Sequence, residues 1–580
     1  MSRFQVYSGS APERFIAQLN QEKNWQLLNH QSIVFAFMPD SRCDIGEQST
    51  LFASPDGRCV GVFSGKLFDF DKLTQCFNHD LTKAQKLAVL LQQLYTKHGV
   101  SFPLELQGFF AIVMLIDGQL LAVRDAIGER PVYILQTPTS IVIADRLAAL
   151  MAYSECSRVI NPAGVSDFLS TGFSPFARTP VQGVSKLFAG VTATISPSSI
   201  ESFHYHELRD QNEAIAELQC IEQVRASLEL AVANRFEANT KTGLLLSGGL
   251  DSSLVGALIG GHSLTAAYSL NFGSEYRNEL EFSGLMAKHL NIPARVITVT
   301  SAMIKAKFLQ TATILDEPIG DPLTVPNIIV VEEAAKEVQL VFNGEGGDPV
   351  FGGPKNLPIM AYEAYGVGMQ EFSREDMYLR AYNKGHEHLP HLLSKDFQQQ
   401  LKNYSSSAEL LAPFLNDTSF SSYLHRLMHI NLRLKGAAQI LPKVLKASAA
   451  ADIAVRSPLF DRQLAELAFS LPPAMKLKRS IEKYVLKQAV SDIVPASIIS
   501  RPKSGMLVPV HYWFNKELRS FAKEVLLHSN AKIRKLIEPK ALQDLINFKG
   551  SGIKPYYGDR LWLLLSLELW MQAHNISDGL

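Results

Sequence analysis

Residues 244 to 253 read Leu244-Leu245-Leu246-Ser247-Gly248-Gly249-Leu250-Asp251-Ser252-Ser253. Three apolar residues run into two glycines, an aspartate and two serines, and helical apolar spacing resumes at Leu254 and Leu258. The pattern predicts a buried strand ending in a tight turn at a helix N-terminus. Such a turn aims several backbone N–H groups at one point, beside the positive end of the helix dipole. Gly248 and Gly249 let a ligand approach the backbone, because neither carries a Cβ. Ser247, Ser252 and Ser253 add hydroxyl donors. A strand–turn–helix corner rich in small residues is the plain alternative, but the full string favours a phosphate cradle for a nucleotide. The cradle is not of the Walker type, since G-x-x-x-x-G-K-[ST] is absent.

Outward from this loop the second part of the chain alternates strands and helices. Strands are expected at 243–246, 266–272, 295–299 and 339–343, with helices at 279–290 and 327–338. Ile221, Val224, Leu228, Val232 and Phe236 share one helical face just upstream. Short apolar strands separated by helices indicate a doubly wound parallel sheet. Ligands of such sheets sit beyond the carboxyl ends of the strands, where Ser247–Ser253, the segment after Phe272 and residues 344–353 fall. Beyond residue 360 the chain reads as helical, with joints marked by Pro390, Pro442, Pro472 and Pro495.

The first part has another texture. Strands are expected at 32–38, 60–63, 109–116, 120–123, 140–144 and 191–195, separated by turn residues such as Asp56-Gly57 and Asp117-Gly118. One helix, 83–98, places Leu87, Leu90, Leu91 and Leu94 on a face. This is an α+β domain with antiparallel sheets. The boundary is drawn so that residues 1–205 form one domain and 206–580 the other.

Composition bounds the function. A chain of 580 residues allows about two to four domains. Lys plus Arg and Asp plus Glu both number 56, so no polyanion partner is implied and nucleic acid is not expected. Five scattered cysteines, with no C-x-x-C pair, argue against a disulfide framework or a zinc site. No signal segment and no apolar run of membrane-spanning length is present, so a cytoplasmic protein with no membrane partner is expected.

Asn343-Gly344-Glu345-Gly346-Gly347-Asp348 follows a strand. Its carboxylates should meet Asp251 at one sheet edge. Two aspartates from adjacent loops suit Mg²⁺ bound to a polyphosphate, so Asp251 and Asp348 are assigned to the metal. Glu345 is then free to act on an amine or ammonia, or to order the activated substrate. Each acid alone would read as a helix cap. Asp316-Glu317-Pro318 and Asp321-Pro322 form a third acidic loop, read equally as pocket wall or solvated turn. Lys483, in Ile481-Glu482-Lys483-Tyr484, is a candidate base or a helical ion-pair partner. Lys503, in Arg501-Pro502-Lys503, could reach the phosphates or remain a solvated charge.

These strings in this order resemble the asparagine synthetase family, with its relatives β-lactam synthetase, carbapenam synthetase and the lasso-peptide cyclases. The resemblance spans almost the whole chain. It rests on Leu246–Ser253, Gly344–Asp348, Arg456-Ser457-Pro458-Leu459-Phe460-Asp461 and Arg501-Pro502-Lys503. In the first part it rests on Gln107–Ala111, the string from Arg124 to Tyr133, and Asp167-Phe168-Leu169 with Thr171-Gly172. It implies an Ntn-hydrolase-like αββα sandwich followed by a PP-loop ATP-pyrophosphatase domain with a helical C-terminal part. It also implies ATP and Mg²⁺, attack of a substrate carboxylate on the α-phosphate, and displacement of AMP by ammonia or an amine. By position, Leu246, Ser247, Gly248, Gly249, Leu250, Asp251, Ser252, Phe272, Asn343 and Gly344 match ATP contacts. Glu345 matches the acid tied to the acyl-adenylate, and Lys503 matches the charge-stabilising lysine. The carboxylate can belong to a small molecule or a peptide, and the family admits a homodimer.

The chain departs from the family in its first part. Ser2 stands where the family's glutaminase carries its cysteine nucleophile, and Arg3 where it carries glycine. Ser64-Gly65-Lys66 replaces Asn-Gly-Glu, no acid stands near Leu87, and Arg42 is the only candidate for the glutamine-binding arginine. An inactive glutaminase is therefore expected, since a nucleophile needs its base and oxyanion donors together. In the second part Ala454 replaces an acid expected on the pocket wall. Two other readings remain at this stage: a glutamine-hydrolysing asparagine synthetase working through Ser2, and a nucleotide-binding scaffold.

Overall fold

The computed structural model describes residues 2–22, 24–40, 42–210, 215–365, 371–382, 385–501, 505–549 and 556–579. The chain divides into two units: Met1–Arg158 with Ala177–Glu207, and Val159–Phe176 with Leu208–Leu580. The segment Val159–Phe176 thus departs from the expected division at 205. The reason is its helix Pro162–Thr171, which is buried almost throughout and whose Asp167 carboxylate accepts the Ser407 hydroxyl at 2.8 Å.

The first unit holds two antiparallel six-stranded sheets. One has the order Val184–Lys186, Tyr133–Gln136, Ser140–Ala144, Arg3–Gly9, Ile33–Met38, Gln26–His30. The other runs Ile200–His204, Val191–Ile195, Gln119–Arg124, Gly108–Ile116, Cys59–Leu67, Thr50–Ala53. Their inner faces share one core, in which Phe4, Val6 and Phe35 meet Val60, Val62 and Val113. The outer face of the second sheet packs Phe63, Phe110 and Ile112 on the helix Lys83–His98 through Leu87 and Leu91. On the first sheet, Tyr7 stacks 5.3 Å from Phe15 of the helix Pro12–Leu19. Alternation along each strand makes both faces apolar, which is what the αββα layering requires.

The string Arg124–Tyr133 builds this unit's turn. Asp125 Oδ1 accepts the N–H groups of Ile127, Gly128 and Glu129 at 2.7–3.1 Å, and Oδ2 that of Arg130 at 2.9 Å. The buried Arg124 donates to the carbonyls of Arg130, Leu187 and Gly128. Arg130 pairs with the buried Glu47.

The second unit carries five parallel strands in the order Ala294–Thr298, Ala266–Asn271, Thr242–Leu245, Leu340–Phe342, Ala454–Arg456. The fifth strand escapes periodicity because it is only three residues long. The helix expected at 327–338 runs instead over Thr324–Ala334. Asp321 starts it early: its carboxylate accepts the Leu323 N–H at 3.0 Å and its carbonyl the Thr324 hydroxyl at 2.7 Å, while Pro326 sits in the first turn, where a missing N–H costs nothing. The last helix, Tyr557–Ala573, is buried on nearly every face. Among the described residues no helix is long and apolar enough to cross a membrane.

A buried polar cluster in this unit is expected to govern acid stability. His425 Nδ1 bonds to Asp210, whose Oδ2 also accepts the Ser421 N–H and hydroxyl, each at 2.7 Å. Burial pushes the His425 imidazole from 6.5 down to about 4, the nearby Lys476 adds to this, and Asp210 opposes it. Between those values the unfolded chain holds a proton that the folded chain refuses. Stability should therefore fall as pH drops from about 6.5 to about 4, by at most roughly 3 kcal/mol from this group. Urea midpoints across that range should lose this component of the slope in His425→Gln; an identical slope would refute it.

Candidate active site

The strand Thr242–Leu245 delivers Leu246, whose N–H donates to the Tyr268 carbonyl at 2.9 Å. The chain then turns through Gly248 at φ +79° into the helix Leu250–Ile259. A Cβ on Gly248 would lie 2.7 Å from the Ser283 nitrogen and 2.9 Å from the Glu279 carbonyl, so glycine is required here for both conformation and space. The Ser252 hydroxyl accepts the Ser247 N–H at 3.2 Å and lies 3.1 Å from the Ser247 hydroxyl, closing the loop on itself. Arg501 clamps it from outside: it donates to the Gly248 carbonyl at 3.0 Å, pairs with Glu279 and lies 4.0 Å over the Phe282 ring.

The loop after Leu340–Phe342 meets this one edge to edge. Asn343 Oδ1 accepts the Glu345 N–H at 2.9 Å, and Gly346 turns at φ +110° against Leu459 and Phe460. The Arg456–Asp461 string supports that turn. Asp461 pairs with the buried Arg235 at 2.8 Å and caps the helix Arg462–Ser470. At Gly344 a Cβ would lie 2.3 Å from the Ser252 nitrogen, which measures how closely the two loops touch.

Between the loops lies Lys483. Its Nζ donates to both oxygens of Asp251 at 2.7 Å and lies 2.6 Å from Asp348 Oδ1. The lysine is 2% exposed, whereas Asp348 keeps 42% of its side-chain surface. A buried ammonium thus holds together the two carboxylates assigned to the metal. Two hard-oxygen groups facing a cavity, one with accessible surface, suit Mg²⁺ bound with a polyphosphate. Lys443 forms a second bridge, 2.9 Å from Asp321 Oδ2 and 3.7 Å from Glu345 Oε1; these carboxylates raise its ammonium against the cost of burial.

These groups line one cavity of about 1420 Å³. Leu246, Ser247, Gly249, Leu250, Asp251, Ser252, Asn343, Gly344, Glu345, Asp348, Asp321 and Lys483 all reach it. Gly248 supports it from behind. Phe272 borders a smaller hollow beside it and packs edge-on against Trp513 at 5.9 Å. Asp316 and Glu317 are not on its wall: Asp316 is buried against Lys446 at 2.5 Å, and Glu317 is half-buried. Ala454 is also off the wall, which Val455 supplies. Lys503 lies outside the described residues. Sequence reasoning missed Lys435, Lys443, Tyr378 and Tyr382 on the wall, all from helical stretches with no motif.

Fold and site together define an ATP-dependent carbon–nitrogen ligase that forms amides. The asparagine synthase family model matches residues 223–572 and the glutamine amidotransferase domain model residues 32–206; the chain belongs to the asparagine synthase family. It is 24% identical to a putative glutamine-hydrolysing asparagine synthetase of Mycobacterium tuberculosis, over 95% of this chain and 91% of that one. It is 23% identical to glutamine-hydrolysing asparagine synthetase 1 of Bacillus subtilis, over 97% and 94%. Among solved structures it is similar to the glutamine phosphoribosylpyrophosphate amidotransferase of Bacillus subtilis, at 12% identity over 51% of this chain and 65% of that chain, with a TM-score of 0.25.

Proposed function

We propose that the second unit joins a substrate carboxylate to ammonia or an amine through an acyl-adenylate, and that the first unit does not hydrolyse glutamine. The observation that carries the reading is Lys483 Nζ, buried between Asp251 and Asp348 beside the N-terminus of the helix Leu250–Ile259. A carboxylate oxygen attacks the α-phosphorus of ATP and pyrophosphate leaves. The amine nitrogen then attacks the acyl carbon, the bond to the AMP oxygen breaks, and the nitrogen loses a proton. The loop N–H groups and Lys483 would stabilise the negative charge that grows on the departing pyrophosphate. Asp251 and Asp348 would hold Mg²⁺, which neutralises polyphosphate charge when bound. Glu345, on the cavity wall, would take the proton from the amine.

The first unit supports the second half of the proposal. Ser2 is wholly buried, its N–H donates to Asp44 at 2.9 Å, and its hydroxyl has no hydrogen-bond partner among the described residues. No side chain among the described residues activates this hydroxyl, and it has no open face toward a substrate. Leu87 faces the core rather than a pocket, and Arg42 is exposed. No cysteine substitutes: Cys43, Cys59, Cys156 and Cys220 are buried, Cys76 is exposed, and burial pushes the Cys59 thiol up to about 12.

The test is incubation with ATP, Mg²⁺ and a panel of carboxylates that includes aspartate, with ammonium, amines or glutamine as nitrogen source. AMP and pyrophosphate should form in equal amounts with ammonium or an amine and not with glutamine alone. Asparagine made from glutamine would overturn the proposal, and nucleotide binding without pyrophosphate release would favour a scaffold. Replacing all five cysteines with serine should leave pyrophosphate release within about threefold, since no thiol is placed to react.

A further inference from the structure

Two lysines on the cavity wall take no part in the ion pairs described above. Lys435 Nζ lies 4.8 Å and Lys355 Nζ 5.9 Å from the centre of the same ring, that of Tyr382. Among the described residues neither ammonium has a hydrogen-bond acceptor or an ion-pair partner. The nearby carboxylates are engaged elsewhere, Asp321 with Lys443 at 2.9 Å and Asp348 with Lys483 at 2.6 Å.

Tyr382 is a fixed platform. Its hydroxyl donates to Asn356 Oδ1 at 2.8 Å and accepts from Asn431 Nδ2 at 2.8 Å. The Tyr378 hydroxyl donates to Asn431 Oδ1 at 3.1 Å, and its ring lies 4.6 Å from that of Tyr382. Asn431 and Lys435 both come from the π-helical segment Asn431–Ile440, a geometry frequent at functional sites. Burial and the charge of Lys355 push the Lys435 ammonium down to about 7, Lys443 adds to this, and Asp321 and Asp348 oppose it. Two cations brought to one ring, with no carboxylate among the described residues in contact with either, repel each other, and an anion between them would relieve that. The cavity, at about 1420 Å³, exceeds the roughly 300–1,000 Å³ of a single small-ligand site, which leaves room for a second group beside the nucleotide.

We propose that Lys355 and Lys435, over Tyr382, form a subsite for a second anionic oxygen group on the amide-forming substrate, a carboxylate or a phosphate apart from the carboxylate that is activated. The assignment of that group to the substrate rests on the ligase reading above; the anion subsite itself can be measured without turnover. Calorimetric titrations of the full chain, with and without Mg²⁺ and α,β-methylene-ATP, would compare succinate, 3-phosphonopropionate and butyrate. Succinate and 3-phosphonopropionate should bind at least tenfold more tightly than butyrate. Lys435→Met and Lys355→Met should each bring succinate close to butyrate, Lys435→Arg should keep most of the preference, and nucleotide affinity should stay within twofold. Lys355 is exposed, so its variant reports even where the Lys435 variant fails to fold. Equal binding of succinate and butyrate by the wild type would overturn the subsite. Weakened nucleotide binding in the lysine variants, with succinate unaffected, would place a nucleotide phosphate there instead and also overturn it. A succinate preference without pyrophosphate release from any carboxylate would uphold the subsite and sink the ligase reading alone.

Discussion

Asp348→Ala is expected to lower ATP-dependent pyrophosphate release on the order of a thousandfold, the scale on which a preorganised charged or polar group acts at a reaction centre. Asp348 Oδ1 lies 2.6 Å from Lys483 Nζ, and its side chain keeps 42% of its surface, so its removal opens no core cavity. The fold should survive with little change in melting temperature. Two things are lost together: half of the carboxylate pair assigned to Mg²⁺, and one of the two acids that fix Lys483. Asp348→Asn separates them. The amide keeps the shape but not the charge, so it should be nearly as inactive while Lys483 stays bound to Asp251 at 2.7 Å. Single-turnover pyrophosphate release over a range of Mg²⁺ concentrations is the measurement. A variant within tenfold of wild type at saturating Mg²⁺ would remove Asp348 from the metal assignment.

The meeting of the two loops was largely legible in the sequence, because both are glycine-rich strings attached to strand ends. A parallel sheet brings the carboxyl ends of its strands to one edge, so Ser247–Ser253 and residues 344–348 had to meet once the strands were recognised. What was not legible comes from distance in sequence. Lys483 was a candidate from the sequence, but its partner Asp251 is 232 residues away, and its segment's charges fit an ordinary helical ion pair equally well. Lys443 and Lys435 stand in helices that only the tertiary fold turns toward the cavity. Asp316 shows the converse error: an acidic loop near the site suggests a pocket wall, yet Lys446 neutralises Asp316 in the interior. The helix Pro162–Thr171 resisted the boundary at 205 for a related reason, since membership in a unit is set by packing partners and not by sequence order.

Gly347→Ala should lower the same reaction about a hundredfold while leaving stability nearly unchanged, and that separation makes it informative. Gly347 opens the short helix Gly347–Phe351 with no positive φ, so alanine is conformationally allowed and restricts the unfolded chain. The obstacle is spatial. A Cβ there would lie 2.3 Å from Asp251 Oδ1 and 2.4 Å from Cγ, and Lys483 holds that carboxylate through two bonds of 2.7 Å. The carboxylate must rotate away and surrender at least one of those bonds. Gly353 stands in the same relation to Asp348, with a Cβ 2.6 Å from its Cγ, so Gly353→Ala should act in the same direction. Both glycines are thus explained by the room their carboxylates need rather than by turn geometry. Kinetics at several ATP and Mg²⁺ concentrations, alongside thermal melts, would decide it. A Gly347→Ala enzyme with wild-type turnover would mean that Asp251 tolerates displacement and that the carboxylate–lysine–carboxylate arrangement is not the working form of the site.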